Sequence, residues 1–357
     1  MFSAYAKVAD NTYREVFGLD FEQFAVGQIF RHRPGITISQ QDNTDEALDT
    51  INSAQLHYDQ HYAEQTEWKH CLGVSTLTLQ KVLGSSWKTF ARKDRITVFE
   101  NIAMVHPVFG GDTLYSETEI LALDPLGNDE CGELQLETRG LNQTGMIVTK
   151  VQYRIRVYKA GKHPYYGQSC FDYNLNNDKF SAYKIEDDGG FKEEVGIYFE
   201  DFNPGEIYEH APSKVVTPEE ATQHALRSLN WDPKHIDPAF YHQYFSTAYC
   251  AGQAPHCPIT EIYFIGSAAA CTARTFGRVV ANLGWTNIVL HREVFPNERF
   301  TVKSEVMDKR ESHSRPTQGI MQAKTACYDK NGREIMSYQR VFLIYKKGLG
   351  PYDKAGY

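Results

Sequence analysis

Two copies of one polar trio are the residues of this chain whose types and spacing are best suited to chemistry. The trio has the pattern Asn-x4-His-x-Asp, and its copies are Asn52, His57, Asp59 and Asn230, His235, Asp237. An imidazole titrates near neutral pH and passes a proton in either direction, while an amide orients a ligand through hydrogen bonds. The trio is therefore suited to moving a proton to or from a bound water or substrate.

The two trios belong to a longer internal repeat. Residues 21–32, with the sequence FEQFAVGQIFRH, reappear as residues 199–210, FEDFNPGEIYEH, and 21 + 178 = 199. The same offset carries Asn52 onto Asn230 and His57 onto His235. Two motifs in register at one offset indicate a tandem duplication, so we expect two equivalent modules. The sequence leaves open whether one copy of the site has decayed.

The composition is that of a soluble globular protein, with room for two domains in 357 residues. The formal net charge of −8 argues against a nucleic-acid-binding protein, which usually carries a basic face. The seven cysteines have no paired spacing, the first residues do not resemble a secretory signal, and no apolar run approaches the roughly 18 residues of a membrane span. We therefore expect a reduced, cytoplasmic protein that binds neither nucleic acid nor membrane.

Helices are expected on either side of the first trio. Ser39 and the acidic residues after it are typical of a helix N-terminus, and the helical stretch that follows ends at Asn52. Residues 72–87 are apolar around most of a helical circumference, which predicts a buried helix that begins near Gly73. The second copy predicts a longer buried helix over residues 262–285.

Alternating apolar and polar residues predict strands after each buried helix. Residues 150–158 alternate in this way, as in an antiparallel strand with one wet face. The other expected strands are residues 112–121, 133–137, 299–306, 320–328 and 334–346. This order predicts an α+β module in which a curved sheet wraps around a central helix. We expect the two sheets to pair edge to edge, because such pairing removes two exposed edges.

The repeat divides the chain into two predicted modules and a linker. We expect an N-terminal module at residues 1–160, a polar linker at 161–190 that crosses the surface, and a C-terminal module at 191–357. Residues 1–20 form an amphipathic lead-in that we expect to be partly helical.

The order of the motifs resembles a known enzyme family. The resemblance rests on the FEQFxxGQ block, the Asn52–Asp59 trio, Gly73 at the start of a buried helix and the sequence GDTL at 111–114. This order is similar to that of the MaoC-like, or (R)-specific enoyl-CoA hydratase, family. The duplication, with Asn where simpler members carry Asp, most resembles the mesaconyl-CoA hydratase (β-methylmalyl-CoA dehydratase) branch. The resemblance covers nearly the whole chain and implies a double hot-dog fold.

The resemblance also implies roles for named residues. In the family, an Asp and a His five residues later deprotonate a water that adds across an enoyl thioester, and a backbone N–H at a helix start polarises the thioester carbonyl. Carried onto this chain, His57 is the general acid or base, Asn52 takes the Asp position, and the Gly73 amide is the oxyanion donor. Because Asn52 cannot accept a proton, it can only orient water or substrate. Proton transfer then falls to His57, helped by Asp59 or by a carboxylate from elsewhere.

The second trio is the weaker candidate. Asn230, His235 and Asp237 repeat the pattern, and Pro233 before the histidine is also family-like, but no glycine stands at the position of Gly73. We therefore favour the first copy as catalytic and the second as a scaffold that completes the acyl pocket. The reverse assignment stays open.

Several of these residues have a structural explanation as well. Asp59 and Asp237 are equally suited to be helix N-caps. His57 and His61 have metal-ligand spacing, but no third ligand is near them in sequence, so we expect no metal site. Four basic residues follow the buried helix and are candidates for binding the phosphates of coenzyme A, although an ordinary charged loop explains them too: Lys88, Arg92, Lys93 and Arg95.

The resulting expectation is a cofactor-independent hydro-lyase that acts as a homodimer. The resemblance implies reversible hydration and dehydration of an enoyl-CoA and 3-hydroxyacyl-CoA thioester, with coenzyme A as part of the substrate. It implies a short branched or dicarboxylic acyl group of the mesaconyl-CoA type. One alternative is an acyl-CoA thioesterase, which the lack of a carboxylate between Leu72 and Leu83 disfavours. The other is a non-catalytic acyl-CoA-binding protein in which Asn replaced a lost catalytic Asp.

Overall fold

Each half of the chain places one short buried helix against one sheet in the computed structural model. The structure describes residues 2–127, 129–166, 175, 177–245 and 256–357. Its strands are β1 (Tyr5–Ala9), β2 (Thr12–Glu15), β3 (Ile29–Thr37), β4 (Lys93–Met104), β5 (Thr113–Asp124), β6 (Cys131–Leu141), β7 (Ile147–Tyr158), β8 (Tyr183–Ile185), β9 (Phe191–Glu193), β10 (Ile207–His210), β11 (Val279–Leu290), β12 (Thr301–Glu311), β13 (Gln318–Tyr328) and β14 (Glu334–Tyr345). Its helices are α1 (Gln40–Asp49), α2 (Gln60–Glu64), α3 (Ser75–Gly84), α4 (Pro218–Arg227), α5 (Pro233–Ile236), α6 (Pro238–Phe245) and α7 (Glu261–Cys271).

The described strands form two seven-stranded sheets. The N-terminal sheet has the order β4-β7-β6-β5-β3-β9-β8, and the C-terminal sheet has the order β1-β2-β10-β12-β13-β14-β11. The six strands predicted from alternation are confirmed as β5, β6, β7, β12, β13 and β14. In β6, for example, residues alternate between buried and partly buried along the strand, as a sheet with one face on the core requires.

The buried helix of each half packs on the inner face of its sheet. In the N-terminal half, Leu77 and Val82 of α3 cluster with Leu114 of β5 and Val148 of β7. Full burial of one such side chain contributes roughly 1.5–3 kcal/mol to stability. In the C-terminal half, the corresponding cluster joins α7 to three strands through Phe264, Ala268, Val302, Cys327 and Met336. The tandem repetition of a helix on a curved sheet is the predicted double hot-dog fold.

Two predicted helices are wrong in part. The helix predicted at residues 262–285 ends at Cys271, and residues 279–290 form strand β11 instead. Val279, Val280, Ile288 and Val289 favour a strand, and the ladder with β14 pairs this backbone. The lead-in at residues 1–20 is also not helical, since Tyr5–Ala9 and Thr12–Glu15 form a β-hairpin.

That hairpin belongs to the sheet of the opposite half. β2 pairs with β10 in the C-terminal sheet, whereas β9, at the end of the predicted linker, pairs with β3 in the N-terminal sheet. The two hairpins are themselves repeats, because the sequence FSAY occurs at 2–5 and again at 180–183, and 2 + 178 = 180. The duplicated units therefore exchange their N-terminal hairpins. The module boundaries at residues 160 and 191 stay a prediction. Residues 5–15 pair in the C-terminal sheet and residues 183–193 pair in the N-terminal sheet.

The exchange is symmetric at the level of single hydrogen bonds. Ser3 forms an isolated antiparallel β-bridge with Ser181, which is the equivalent residue in the second repeat. On one side Ala4 N donates to Phe180 O at 2.7 Å, and on the other Ala182 N donates to Phe2 O at 2.7 Å. A pseudo-two-fold axis therefore passes between the two crossing strands and relates one half of the chain to the other.

A buried histidine–glutamate pair fastens each exchanged hairpin. Glu193 of β9 lies 3.1 Å from Nδ1 of His32, whose Nε2 contacts Thr118 Oγ1 at 2.9 Å. Glu15 of β2 and His210 repeat the pair at 3.2 Å in the other half. All four charged or titratable side chains are almost completely buried. The two halves are thus joined through polar groups that only the exchange brings together.

The expected edge-to-edge pairing of the two sheets does not occur among the described residues of the chain. β4 and β11 are the terminal strands of two separate sheets, and no described residue pairs with their outer edges. The contact between the halves runs through the exchanged hairpins at the opposite ends of both sheets.

Candidate active site

The first trio lies in a loop that is tied to the start of α3. Asn43 of α1 is completely buried and donates from Nδ2 to the backbone oxygens of His57 and Leu72, at 2.9 and 3.1 Å. Its Oδ1 accepts from Val74 N at 2.7 Å. Asn43 therefore ties the loop that carries His57 to Val74, the residue just before α3. The sequence analysis missed Asn43 because only the fold brings these segments together.

The His57 ring has a defined tautomer. Its Nδ1 lies 2.7 Å from the Leu72 carbonyl oxygen, which can only accept, so Nδ1 carries the hydrogen. In the neutral ring the Nε2 lone pair is then left for another partner, and no described residue hydrogen-bonds to it. Because the ring is half-buried, this nitrogen is suited to take a proton from a bound water.

The second trio repeats this arrangement. His235 Nδ1 lies 2.9 Å from the Pro258 carbonyl oxygen, and Pro258 stands at the position of Leu72, since 72 + 186 = 258. Unlike His57, His235 is only 6% exposed. Both copies therefore hold an imidazole at the start of the central helix, but only the first is half-open.

The structure assigns the amides and carboxylates of the trios to local hydrogen bonds. Asn52 Oδ1 accepts from Ala54 N at 3.1 Å, within its own turn. Asp59 Oδ1 caps α2 by accepting from Tyr62 N at 3.0 Å. Asp237 caps the start of α6 through Ala239 N and Phe240 N. For Asn230 the contact is through its backbone N–H, which donates to Ala225 O.

The amide of Gly73 is not available as an oxyanion donor, contrary to the prediction. Gly73 N donates to Val108 O at 2.7 Å, and Ile259 N donates to Val294 O at 2.8 Å in the second copy. Because Ile259 makes the same backbone bond in the second copy, this bond is structural and does not require glycine. The amides that open α3 are those of Ser75 and Thr76, and no side chain caps this helix.

The helix starts of the two copies differ in charge. The first turn of α3 contains no acidic residue, whereas Glu261 lies in the first turn of α7. A carboxylate at a helix N-terminus is itself stabilised by the N–H groups and competes there with an anionic ligand. The N-terminal half therefore offers the better environment for a developing oxyanion.

Glu46 is a carboxylate at this helix start that sequence reasoning did not single out. Its Oε1 accepts from Thr76 Oγ1 at 3.0 Å and from Gln80 Nε2 at 2.9 Å. Glu46 is on α1, one turn after Asn43, and is half-buried. The position of Glu46 in the second copy is His224, since 46 + 178 = 224. Only the tertiary packing of α1 on α3 reveals this acid.

The cysteines beside the two sites are protonated thiols and not nucleophiles. Burial, and then the Asp59 carboxylate, raises the pKa of Cys71. Burial, and then Asp237, raises the pKa of Cys257 to about 11. A thiol with a raised pKa carries little thiolate at neutral pH. The site chemistry therefore rests on imidazole, carboxylate and backbone groups.

Two of the predicted phosphate-binding residues are committed to buried ion pairs. Lys88 Nζ lies 2.7 Å from Glu193, and Arg92 lies 2.6 Å from Asp20. Lys93 and Arg95 are exposed at the first end of β4, about 30 Å from its last residue by the rise of a strand. Of the four residues, Lys93 and Arg95 therefore stay exposed, whereas Lys88 and Arg92 are held in ion pairs.

No helix in the part of the chain that the structure describes is long and apolar enough to cross a membrane. Among the same residues, no group of three or more His, Cys, Asp or Glu side chains is arranged to hold a metal ion.

Several solved structures are similar to this chain at low identity. A protein described as a MaoC domain dehydratase from Chloroflexus aurantiacus J-10-fl has a TM-score of 0.40 and 14% identity, over 93% of this chain and 98% of that one. A conserved protein of Mycobacterium tuberculosis described as having a double hot-dog fold has a TM-score of 0.35 and 17% identity, over 92% and 99%. The (R)-hydratase of A. caviae has a TM-score of 0.34 and 20% identity, over 38% and 98%.

The sequence comparison is more specific. No curated protein matches the chain. A family model described as mesaconyl-CoA hydratase matches residues 178–352, which include the second trio. The resemblance read from the sequence is thereby confirmed, and residues 178–352 are the part of the chain that is similar to the mesaconyl-CoA hydratase family.

Proposed function

We propose that the protein catalyses the reversible hydration of an enoyl-CoA thioester to a 3-hydroxyacyl-CoA thioester, with His57 as the acid/base residue. The observation that carries this proposal is the bond from His57 Nδ1 to the Leu72 carbonyl at the uncapped start of α3. It holds the ring by the segment that leads into α3 and leaves the Nε2 lone pair for a water. Helix N–H groups at such a start stabilise negative charge. The family match to a hydratase supports the reaction class.

The proposed reaction needs one proton relay. His57 Nε2 takes a proton from water, and the hydroxide adds to C3 of the enoyl group while the C2–C3 double bond opens to an enolate. The N–H groups of Ser75 and Thr76 hold the enolate oxygen, and the imidazolium returns its proton to C2. One water is added in sum, and the reverse sequence removes it. In this proposal Glu46 is the carboxylate that holds the water, because Asn52 Oδ1 already accepts from Ala54 N.

The acyl group and the assembly are finer parts of the proposal. We expect a short branched or dicarboxylic acyl group of the mesaconyl-CoA type, because the matching family is described by that substrate. Coenzyme A enters as part of the substrate, and no further cofactor is required by the relay. A homodimer in the cytoplasm is the expected working form.

The first copy is preferred over the second for three structural reasons. His57 is half-open whereas His235 is buried, α3 lacks the first-turn acid of α7, and Glu46 is replaced by His224. The family match covers residues 178–352 and therefore does not include His57. The preference thus rests on geometry and is tested directly by paired variants.

The test scores a panel of enoyl-CoA and 3-hydroxyacyl-CoA esters, mesaconyl-CoA included, by mass spectrometry for gain or loss of one water. We expect wild type to exchange water and His57→Ala to lose at least about 100-fold in kcat, a typical contribution of a general acid/base. His235→Ala is the matched control and should retain most activity. Activity lost only in His235→Ala would transfer the site to the second copy. Release of free coenzyme A instead would make the protein a thioesterase, and tight binding without turnover would make it a binding protein.

A further inference from the structure

A cavity of about 640 Å³ lies between the two repeats, at the opposite end of α3 from the candidate active site. Trp87 and Lys88, which line it, follow the end of α3, whereas His57 is bonded to Leu72 before the start of that helix. Thirteen residues separate Ser75 from Lys88 (88 − 75 = 13), or about 20 Å at the rise of a helix. The cavity is therefore a separate space from the site of the proposed reaction.

Both members of four equivalent residue pairs line this cavity. The pairs are related by the offset of 178 before the central helix and of 186 after it (17 + 178 = 195, 34 + 178 = 212, 87 + 186 = 273, 88 + 186 = 274). They are Phe17 and Val195, Pro34 and Pro212, Trp87 and Ala273, and Lys88 and Arg274. The cavity therefore lies across the pseudo-two-fold axis that relates the two repeats.

The first repeat contributes the larger side chain to two of these pairs. The rings of Phe17 and Trp87 pack with their centroids 4.6 Å apart. The second repeat has Val195 and Ala273 at the equivalent positions, so the smaller side chains leave space on that side. Much of the remaining wall consists of proline, alanine and tyrosine residues. A cavity of this volume with largely apolar walls is typical of a site for an apolar small molecule.

The two cations of the last pair differ in their partners. Lys88 Nζ lies 2.7 Å from Glu193, the acid of one exchanged hairpin. The equivalent acid of the other hairpin is Glu15, since 15 + 178 = 193, and it pairs with His210 instead of Arg274. The symmetry that compensates the charge of Lys88 is therefore broken at Arg274.

The other charged side chains of the wall are compensated as well. Lys214 Nζ lies 3.0 Å from Glu220, and Glu194 pairs with Arg278. Of the charged side chains that line the cavity, only Arg274 forms no ion pair with a residue that the structure describes. The cavity wall thus carries one uncompensated positive charge.

Neutral groups hold the Arg274 guanidinium in place. Its Nη1 donates to the Val16 carbonyl oxygen at 3.0 Å, and its Cζ lies 4.0 Å from the centroid of the Phe17 ring. Burial is the main cause that lowers the pKa of the Lys88 amine, and Arg274 lowers it further although Glu193 acts in the opposite direction. The two cations therefore act on each other, and an anion between them would relieve their repulsion.

We propose that this cavity binds an apolar carboxylic acid, whose carboxylate pairs with Arg274 while its apolar part lies against Phe17, Trp87 and the two prolines. A guanidinium matches the geometry of a carboxylate with two parallel hydrogen bonds. One uncompensated cation matches a single negative charge, and the apolar walls match a body without further charges. This inference concerns a second site and is independent of the proposed reaction at His57.

The charge is tested by calorimetric titration of the full chain with decanoate, and with decan-1-ol as the uncharged match. We expect wild type to bind one decanoate per chain and to bind decan-1-ol at least about 10-fold more weakly. Arg274→Gln should weaken decanoate binding by about 10- to 100-fold, which is typical for the loss of a hydrogen bond to a charged group. Arg274→Lys keeps the charge and should lose less. The matched control is Arg310→Gln, an exposed arginine on β12, which should bind as wild type does.

The space is tested by giving the second repeat the side chain of the first. Ala273→Trp places at this position the residue that Trp87 provides in the first repeat, and it should reduce the binding of both probes at least about 10-fold because it fills the cavity. Ala273 is exposed, so the variant is expected to fold. Decanoate should also shift the tryptophan emission of wild type. Trp87→Phe should lose most of this shift and still bind decanoate in the calorimeter.

One further variant separates this site from the proposed reaction. His57→Ala should bind decanoate as wild type does, whether or not it hydrates a thioester. Loss of binding in His57→Ala, with binding retained in Ala273→Trp, would mean that decanoate enters the candidate active site and would overturn the proposal. It is overturned as well if wild type does not bind millimolar decanoate, or if it binds decanoate and decan-1-ol equally. An unchanged affinity in an Arg274→Gln chain with the thermal midpoint of wild type would exclude the carboxylate contact.

Discussion

At the scale of the residue, Glu46 is the group whose role can be tested most sharply. Replacement of Glu46 by Gln keeps the shape and the bonds to Thr76 and Gln80 but removes the negative charge that holds the water. We expect kcat for hydration to fall about 100-fold, with a smaller change in KM, because the charge acts on the reacting water.

The control for this variant is on the same helix. Asp45 lies next to Glu46, is exposed and bonds to Gln41 within α1, so Asp45→Asn should leave kcat unchanged. Equal activity of Glu46→Gln and wild type would remove Glu46 from the mechanism and leave His57 without a partner acid. A loss of stability alone, seen as an earlier thermal midpoint with unchanged kcat, would give Glu46 a purely structural role.

A second residue-scale prediction concerns pH. Burial alone would raise the pKa of the Glu193 carboxyl, but Lys88 and His32 outweigh burial and lower it from 4.5 to about 2. Because the folded state has the lower pKa, the resulting stability is present above about pH 4.5 and is lost as the pH falls toward 2. A shift of this size corresponds to about 3 kcal/mol in the free energy of unfolding.

Denaturant unfolding at a series of pH values between 2 and 7 measures this effect. We expect Glu193→Gln to lose this part of the pH dependence. Its free energy of unfolding should lie below that of wild type by a nearly constant amount above pH 5, and the two values should converge as the pH falls. Asp187→Asn, an exposed acid in the same segment, should keep the wild-type profile. An unchanged difference between wild type and Glu193→Gln at all pH values would refute the assignment.

The site could be predicted from the sequence only as far as its residues are local. Asn-x4-His was recognisable because it is repeated at one offset, whereas the bond that holds His57 to the Leu72 carbonyl depends on the fold. Gly73 was wrongly expected to offer its amide, since the Val108 carbonyl that occupies it lies 35 residues away (108 − 73 = 35). Lys88 and Arg92 were expected to bind coenzyme A phosphates or to belong to an ordinary charged loop, but they pair with Glu193 and Asp20, which come from other elements.

At the scale of the element, the exchanged hairpins make the stability of each sheet depend on the other repeat. Tyr5 is buried beside Phe202 and Tyr208 of the C-terminal half, and Tyr183 is buried beside Phe30 of the N-terminal half. Truncation of a buried aromatic side chain costs about 3–5 kcal/mol. The loss should therefore fall on the sheet that receives the hairpin and not on the repeat that supplies it.

Amide hydrogen exchange of a matched pair of variants checks this prediction. Tyr5→Ala should reduce protection mainly in β10 and β12, and Tyr183→Ala mainly in β3 and β5. The reverse pattern, with Tyr5→Ala loosening the N-terminal sheet, would contradict the exchange. Equal loosening of both sheets by either variant would mean that the two halves unfold as one unit.

The element errors of the sequence reading have a common physical cause. β1, β2, β8 and β9 are too short for period-two alternation to be recognised. The strands that β2 and β9 join lie 195 and 161 residues away (207 − 12 = 195 and 191 − 30 = 161). β11 was assigned to a helix because its apolar run follows α7 closely and contains no clear alternation. The strands β5, β6 and β7 were predicted correctly because each has one buried face, so that apolar and polar residues alternate along its sequence.

At the scale of the whole molecule, the duplication was the most reliable prediction. It implied two helix-on-sheet units, and the structure contains them with matching hydrogen bonds at His57 and His235. What the repeat could not reveal is how the units meet. Edge-to-edge pairing within the chain was expected, and the crossing at Ser3 and Ser181 replaces it. The short hairpins lie at the sheet edges opposite β4 and β11.

The hairpin exchange also constrains how this protein can be made. Thr12 pairs with Ile207, so a ribosome must add 195 residues (207 − 12 = 195) before the first strands can find their place. At about 5–20 residues per second, this delay is roughly 10 to 40 s. During that time the nascent N-terminal half lacks β8 and β9 and carries a hairpin without a sheet. Translation thus leaves an interval in which holding chaperones have exposed strands to bind, and a gene split between the repeats would encode two fragments that each need the other to be completed.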